Sequence, residues 1–521
     1  MIEKPKKFTY FVIFSLLVQC LFISSIYVES KPIPQGPLYQ LLPESVKYIR
    51  NSDFSNNYSC KISNITIIPQ HPYMAENGGN NMHGDSYMSD YYIQSGPVGN
   101  NTIINSTYRG IAECVTVTFT KQGQMVVGCT SLDRPRLVML NSTTLEEIAS
   151  YDLPKRPVLS IFDPIGIFED TSGGAYFYLD NLDRVVVATH EQAIEVVQVN
   201  NNDTFKLVKK YDLSDYVVKR NFPERDKVGC ALPDWSGNIW FVSRYGAVGL
   251  INETNGNISS IELKVPGYDH YEEIQNSFTI GEDGVYIVSD YALYRFNIDE
   301  SGNPKIDWRA EYDRGTRRKP GMLNQGSGTT PTLVSDLVAI GDNADPKMNV
   351  ELYYRNNGTL ACSIPVFKDN KSCVENSFIG LSRKNGTHSL ILVNSYGHKN
   401  MFSAAFGRTP EPGITRIDII PTIDGYLCKK IWTSDIIPVS ALPKLSLGNG
   451  LIYLYTKNPN PLFLDFWYFT AVDFKTGKMV FKKLVGTGIT YNNNWGPINM
   501  GPDGTVYIGM LLGLVSVRDS I

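Results

Sequence analysis

Gly237-Asn238-Ile239-Trp240-Phe241-Val242-Ser243 reads as a glycine turn, four apolar residues and a small polar residue. On a strand, Ile239 and Phe241 face one way and Trp240 and Val242 the other. A sheet with one wet face would alternate polar and apolar residues, so this strand is buried on both sides. The pattern recurs as GQMVVGC from Gly123, GAYFYLD from Gly174, GVYIVSD from Gly284 and DLVAIGDN from Asp336. It continues as HSLILVN from His388, GLIYLYT from Gly450 and GTVYIGM from Gly504. The spacings run from 47 to 63 residues, enough for a four-stranded unit with variable loops. A second repeated strand often follows, as AVGLIN from Ala247, ALYRFN from Ala292 and GLVSVRD from Gly513.

Strands buried on both faces and repeated at this period predict an all-β chain: a single β-propeller of about eight four-stranded blades, with about seven as the alternative count. A closed ring must hide its edge strands. The last blade stops short at Ile521, so an N-terminal strand is expected to complete it, with Lys61–Pro69 (KISNITIIP) as the candidate. Composition agrees. Of 521 residues, 42% are hydrophobic and 19% charged, and Gly (43), Pro (29) and Tyr (31) favour strands and turns. The net charge of −4, with no basic tract beyond Lys4–Lys7, argues against a nucleic-acid partner.

Lys4, Lys6 and Lys7 precede an uncharged run from Phe8 to Val28, about 31 Å long as a helix. Residues 1–30 are therefore expected to be a signal peptide or signal-anchor, 31–60 a linker and 61–521 the propeller. Both readings of the leader place the propeller in an extracellular or lumenal space, secreted or as a single-pass membrane protein. The membrane is touched only through the N-terminal segment, and only if it stays uncleaved. Eleven sequons fit an exported glycoprotein: Asn57, Asn64, Asn100, Asn105, Asn141, Asn202, Asn252, Asn257, Asn357, Asn370 and Asn385. In that compartment cysteines pair. Cys362 with Cys373, flanking a short loop, is the first expected disulfide, and Cys114 with Cys129, on one hairpin, the second. Without Cys-x-x-Cys, zinc clusters and thioredoxin-like redox chemistry lack support.

In a propeller, the loop after each second strand and the loop leading into each first strand share one face around the central channel. Repeated residues in those loops predict a polar channel mouth that binds a small molecule or a protein partner. They are Tyr245, Tyr291 and Tyr396 after second strands, and Asn324, Gln325, Glu375 and Asn376 before first strands. Gln275-Asn276-Ser277-Phe278 repeats Glu375-Asn376-Ser377-Phe378. Turn and strand consensus accounts for the same residues without a ligand. Asp342, Asn343 and Asp345 supply hard oxygen donors suited to Ca²⁺, although the spacing is not that of an EF-hand. The long segment 70–110 carries His83, Asp85 and Asp90, candidate acid/base or ligand groups. These open an alternative to the binding module: a quinone- or metal-dependent oxidoreductase or hydrolase with its site at the channel mouth. A channel plugged by side chains would instead favour a structural role.

Ala471-Val472-Asp473-Phe474-Lys475-Thr476-Gly477, ending at Phe481, resembles the repeat of the quinoprotein (PQQ-type) propeller superfamily. Phe481 stands where that repeat has Trp. The resemblance implies the fold. Pyrroloquinoline quinone is not the expected cofactor, because the pair of adjacent cysteines that caps the quinone in many such dehydrogenases is missing. The combination of NMHGDSYMSD, QGSGTTPTL, DNADP and ENS is similar to exported bacterial propeller proteins without an assigned reaction. It implies export and a shared site near those motifs.

Overall fold

The structure is a computed structural model that describes residues 31–37, 39–42, 60–131, 134–156, 170, 172–220 and 226–520. The leader, Asn57 and most of the expected linker lie outside the described residues. Among the described residues no helix is long and apolar enough to cross a membrane.

The strands form eight separate sheets, each a blade of an eight-bladed propeller. Blade 3 shows the pattern: Val228–Pro233, Ile239–Ser243, Ala247–Ile251 and Ile258–Glu262 pair in chain order, antiparallel. Its second and third strands are buried at every position, while the fourth is half-buried to exposed. Blades stacked face to face explain this burial on both sides, and Trp240 and Phe241 lie in the resulting core.

Seven of the eight repeated motifs are second strands. GAYFYLD is the exception: Phe177–Leu179 is the first strand of blade 2, and the second is Arg184–Thr189. The turn before a second strand needs a positive φ. Gly237 supplies it in blade 3 at φ 90°, whereas Asp183 supplies it in blade 2 at φ 57°. Asp tolerates that region better than most side chains, so blade 2 has no glycine to mark it.

The ring is closed by an N-terminal strand, but not by the expected one. Thr102–Tyr108 pairs with Gly513–Asp519 and becomes the outer strand of blade 8. Within Lys61–Pro69, only Ile65–Thr66 pairs, against the far end of the first strand of blade 6 at Ser382 and Arg383. The closing strand keeps its apolar Ile104 and Tyr108 against the blade 8 core. Residues 31–37, in the expected linker, also pack there: Ile33 is buried, and Lys31 O accepts from Tyr108 N at 2.7 Å.

Between these two stretches the chain fills the channel. Residues 71–96 meet the inner strand, or the turn just after it, in every blade. Gly79 O accepts from Phe119 N (3.1 Å), and Ala75 N donates to Leu179 O (2.9 Å). His71 packs on Trp235 with ring centroids 4.8 Å apart. Ser86, Tyr87, Ser89 and Asp90 carbonyls accept from Ile280, Leu333, Gly380 and Leu445 in turn. Tyr91–Tyr92 pairs in parallel with Lys444–Ser446, and Gln94 Nε2 reaches Gly501 O at 2.9 Å. An otherwise unpaired inner edge thus finds partners, as buried backbone groups must.

Among the described residues two disulfides form. Cys114–Cys129 joins the first two strands of blade 1, as expected. The expected Cys362–Cys373 bridge is replaced by Cys362–Cys428. Cys362 lies on the outer strand of blade 5 and Cys428 on the outer strand of blade 6, so the bridge staples neighbouring blades. Cys373 is a buried free thiol in the loop leading into the inner strand of blade 6.

Candidate functional site at the channel mouth

The loops leading into the first strands open onto a cavity of about 90 Å³. Its floor is Met82 and His83 from the plug. Its wall includes Glu113, Tyr176, Asn276, Glu375, Asn376, Ser377, Asn494 and Trp495. Thus two of the seven expected ligand residues, Glu375 and Asn376, line it. The repeated Asn-Ser pairs explain themselves in this setting. Asn276 Nδ2 donates to Glu375 O at 3.3 Å, tying two loops together, and Asn276 Oδ1 accepts from Tyr176 Oη at 3.2 Å.

His83 and Asp90 meet beneath the cavity. His83 Nδ1 lies 3.1 Å from Asp90 Oδ1. A carboxylate only accepts, so Nδ1 carries the proton on this side. Ser377 Oγ and Lys444 Nζ also donate to Asp90. Burial alone would raise the Asp90 carboxyl, but the Lys444 ammonium and His83 hold it below the usual range. His83 is 3% exposed, and its Nε2 has no hydrogen-bond partner. Asp85, expected beside them, faces away: Oδ1 accepts from Tyr87 N (2.9 Å), and Ser89 Oγ donates to Oδ2. Burial pushes its carboxyl up to about 6. It shapes the plug rather than the cavity.

Glu375 is 4% exposed, and neither carboxylate oxygen has a well-aligned hydrogen bond. Burial pushes it up to about 8, against the Leu323 N–H, Arg318 and Arg244, which pull it down. Gly328, in the QGSGTTP segment, makes room for it: a Cβ there would sit 2.1 Å from Glu375 Oε2. Glu113, across the wall, is 3% exposed and is also pushed up to about 8 by burial. Its Oε1 accepts from Asn494 N at 3.0 Å. Arg156 and Asp170 form a buried ion pair at 2.5 Å on the same wall.

The remaining expected residues lie off the cavity lining. Asn324 is buried with its amide unpartnered, and Gln325 Nε2 donates to Gly315 O. Arg220 stacks on Tyr245 at 3.9 Å and Arg314 on Tyr291 at 3.7 Å. Tyr396 O accepts from Glu411 N. The carboxylates of the DNADP turn take separate protein partners. Asp342 accepts from Asn349 N and Nδ2 and from Ala344 N, and Asp345 accepts from Thr316. Asn343 Nδ2 bonds the Arg314 and Arg317 carbonyls. Among the described residues, no group of three or more His, Cys, Asp or Glu is arranged to hold a metal.

Glu113, Lys444 and Trp495 were not singled out from sequence, and Tyr176 entered only as part of the repeated GAYFYLD motif. Glu113, Lys444 and Trp495 lie outside the repeated motifs. Only the run Asn492-Asn493-Asn494-Trp495, leading into blade 8, was a visible signal.

No protein-family model matches the chain. A protein of Archaeoglobus fulgidus without an assigned function is 25% identical over 307 residues, 54% of this chain. The chain spans 58% of the length of that relative. Among solved structures, the quinohemoprotein alcohol dehydrogenase of Comamonas testosteroni is similar with a TM-score of 0.52 and 11% identity, covering 87% of this chain and 81% of that one. A europium-containing methanol dehydrogenase has a TM-score of 0.47 and 12% identity, with 84% and 90% covered. The likeness is one of architecture: the chain is an eight-bladed β-propeller.

Proposed function

We propose that the protein is an extracellular or lumenal β-propeller that binds a small polar ligand in the cavity at its channel mouth. One observation carries this reading. The cavity is sealed below by the plug and bordered by buried polar atoms that, among the described residues, are unpartnered (His83 Nε2 and Trp495 Nε1) or without a well-aligned partner (both Glu375 oxygens). Such groups are costly to bury unpaired, and several around one cavity are what a ligand would satisfy. The two disulfides support an oxidising compartment. So do the ten sequons among the described residues, none of which has a buried asparagine.

A specific observation also favours the enzymatic alternative. With Nδ1 fixed on Asp90, a neutral His83 presents Nε2 as a lone pair, the arrangement of a general base.

The test is thermal unfolding of the secreted protein in small-molecule extracts of its own culture, with native mass spectrometry of whatever binds. A fraction that saturates the site raises Tm, and a substitution at Ser131, which lines the same cavity, abolishes the rise when Ser131→Trp puts an indole into it. A shift that survives Ser131→Trp places the ligand elsewhere. If the bound compound is also converted, loss of turnover with retained binding in His83→Gln supports the enzymatic reading.

A further inference from the structure

The charges around the cavity are unbalanced in one direction. Arg156 is paired with Asp170, which also accepts from Lys227 at 2.8 Å. Asp90 is matched by Lys444 and His83. The guanidiniums that act on Glu375 are themselves engaged: Arg244 with Glu273 at 3.3 Å, and Arg318 with the Met322 carbonyl at 2.7 Å. Glu375 and Glu113 have no ion-pair partner of their own among the described residues. The Glu113 carboxylate accepts only from backbone N–H groups among the described residues, those of Asn494 and Gly496.

Two aromatic side chains, Tyr176 and Trp495, share this wall. A carboxylate and aromatic faces in a desolvated site attract the same guest. The carboxylate supplies Coulomb attraction and the ring faces supply cation–π attraction. A neutral polyol gains neither, and an anion is repelled by both.

Building on the reading above, we infer that the cavity takes a small organic ammonium ion, held by Glu375 and Glu113 with Tyr176 and Trp495 beside it. Such a guest favours the ionised carboxylates. Both carboxyls are held protonated by burial, so binding at neutral pH releases protons. Affinity therefore strengthens as pH rises through about 8.

Choline and 3,3-dimethylbutan-1-ol test this, because they share a shape, differ in charge and do not titrate in this range. Titration calorimetry on the full secreted chain should show choline binding about tenfold more tightly. That margin should widen from about pH 6 to about pH 9, with proton release seen across buffers of different ionisation enthalpy. Glu375→Gln and Glu113→Gln should each shrink the choline advantage while leaving the alcohol's binding in place, with melting curves confirming the fold. Equal binding of the two probes, or a choline advantage untouched by both variants, overturns the inference. If the neutral probe binds and Ser131→Trp blocks it, the cation inference fails while the ligand site stands. If neither probe binds at concentrations on the order of 10 mM, the cation inference also fails. The extract experiment then decides the broader reading alone.

Discussion

Glu113 and Glu375 are held by the folded protein in a medium that disfavours their charge. Both carboxyls are raised to about 8, against about 4.3 in an unfolded chain. Between those values the native state binds protons that the unfolded state has released. Their stabilising contribution is therefore full at low pH and is lost as pH rises through about 8. A Glu113→Gln/Glu375→Gln protein should melt higher than wild type near pH 9 and show no such gain near pH 4, which thermal melts across pH would read. At this scale the sequence showed part of the site. His83 and Asp90 stand out in NMHGDSYMSD, but their nearness in sequence also drew in Asp85, which turns to Ser89. Ser377 and Lys444 complete the network from 287 and 354 residues beyond Asp90. Only the closed ring brings such separations together.

At the scale of elements, the short continuous apolar runs carried the blades, because a strand buried on both faces is written directly into its residues. What spacing could not carry was the third dimension of a blade. The cysteines show it. Cys362 and Cys428 are 66 residues apart, yet they face each other from adjacent outer strands, while the nearer Cys373 meets the turn after the second strand of blade 6 at Asn394 and Ser395. In the chain-entropy model, closing that loop is worth about 4 kcal/mol, and the 15-residue hairpin bridge Cys114–Cys129 about 3. Replacing Cys362 and Cys428 by Ser should therefore lower the urea-unfolding free energy by about 4 kcal/mol, slightly more than replacing Cys114 and Cys129. Reducing agent should erase the difference between wild type and each variant if the bridges act as assigned. The closing strand was misplaced for a related reason. KISNITIIP and TIINSTY are equally strand-like, and only the geometry of the ring selects the one whose register meets Gly513–Asp519.

For the whole molecule, the N-terminal hundred residues do two jobs that sequence alone did not connect. Thr102–Tyr108 closes the ring, and the stretch just before it fills the channel and floors the cavity. The plug fills the channel, and its Met82 and His83 still line the cavity at the mouth. It also makes the blades interdependent, since one segment bonds or packs on all eight. A chain beginning at residue 110 would lose the closing strand and the plug together. It would expose the edge at Gly513–Asp519 and the inner strands of the ring. That chain should fail to give a folded monomer, with aggregation by size-exclusion chromatography and weakened β-structure by circular dichroism. Co-expression of residues 31–109 as a separate polypeptide should restore a one-to-one complex, because a segment that binds only the native ring stabilises it by mass action. A soluble, cooperatively melting monomer of 110–521 would show instead that the blades close without their plug, and the floor of the cavity would then be an accessory rather than part of the fold.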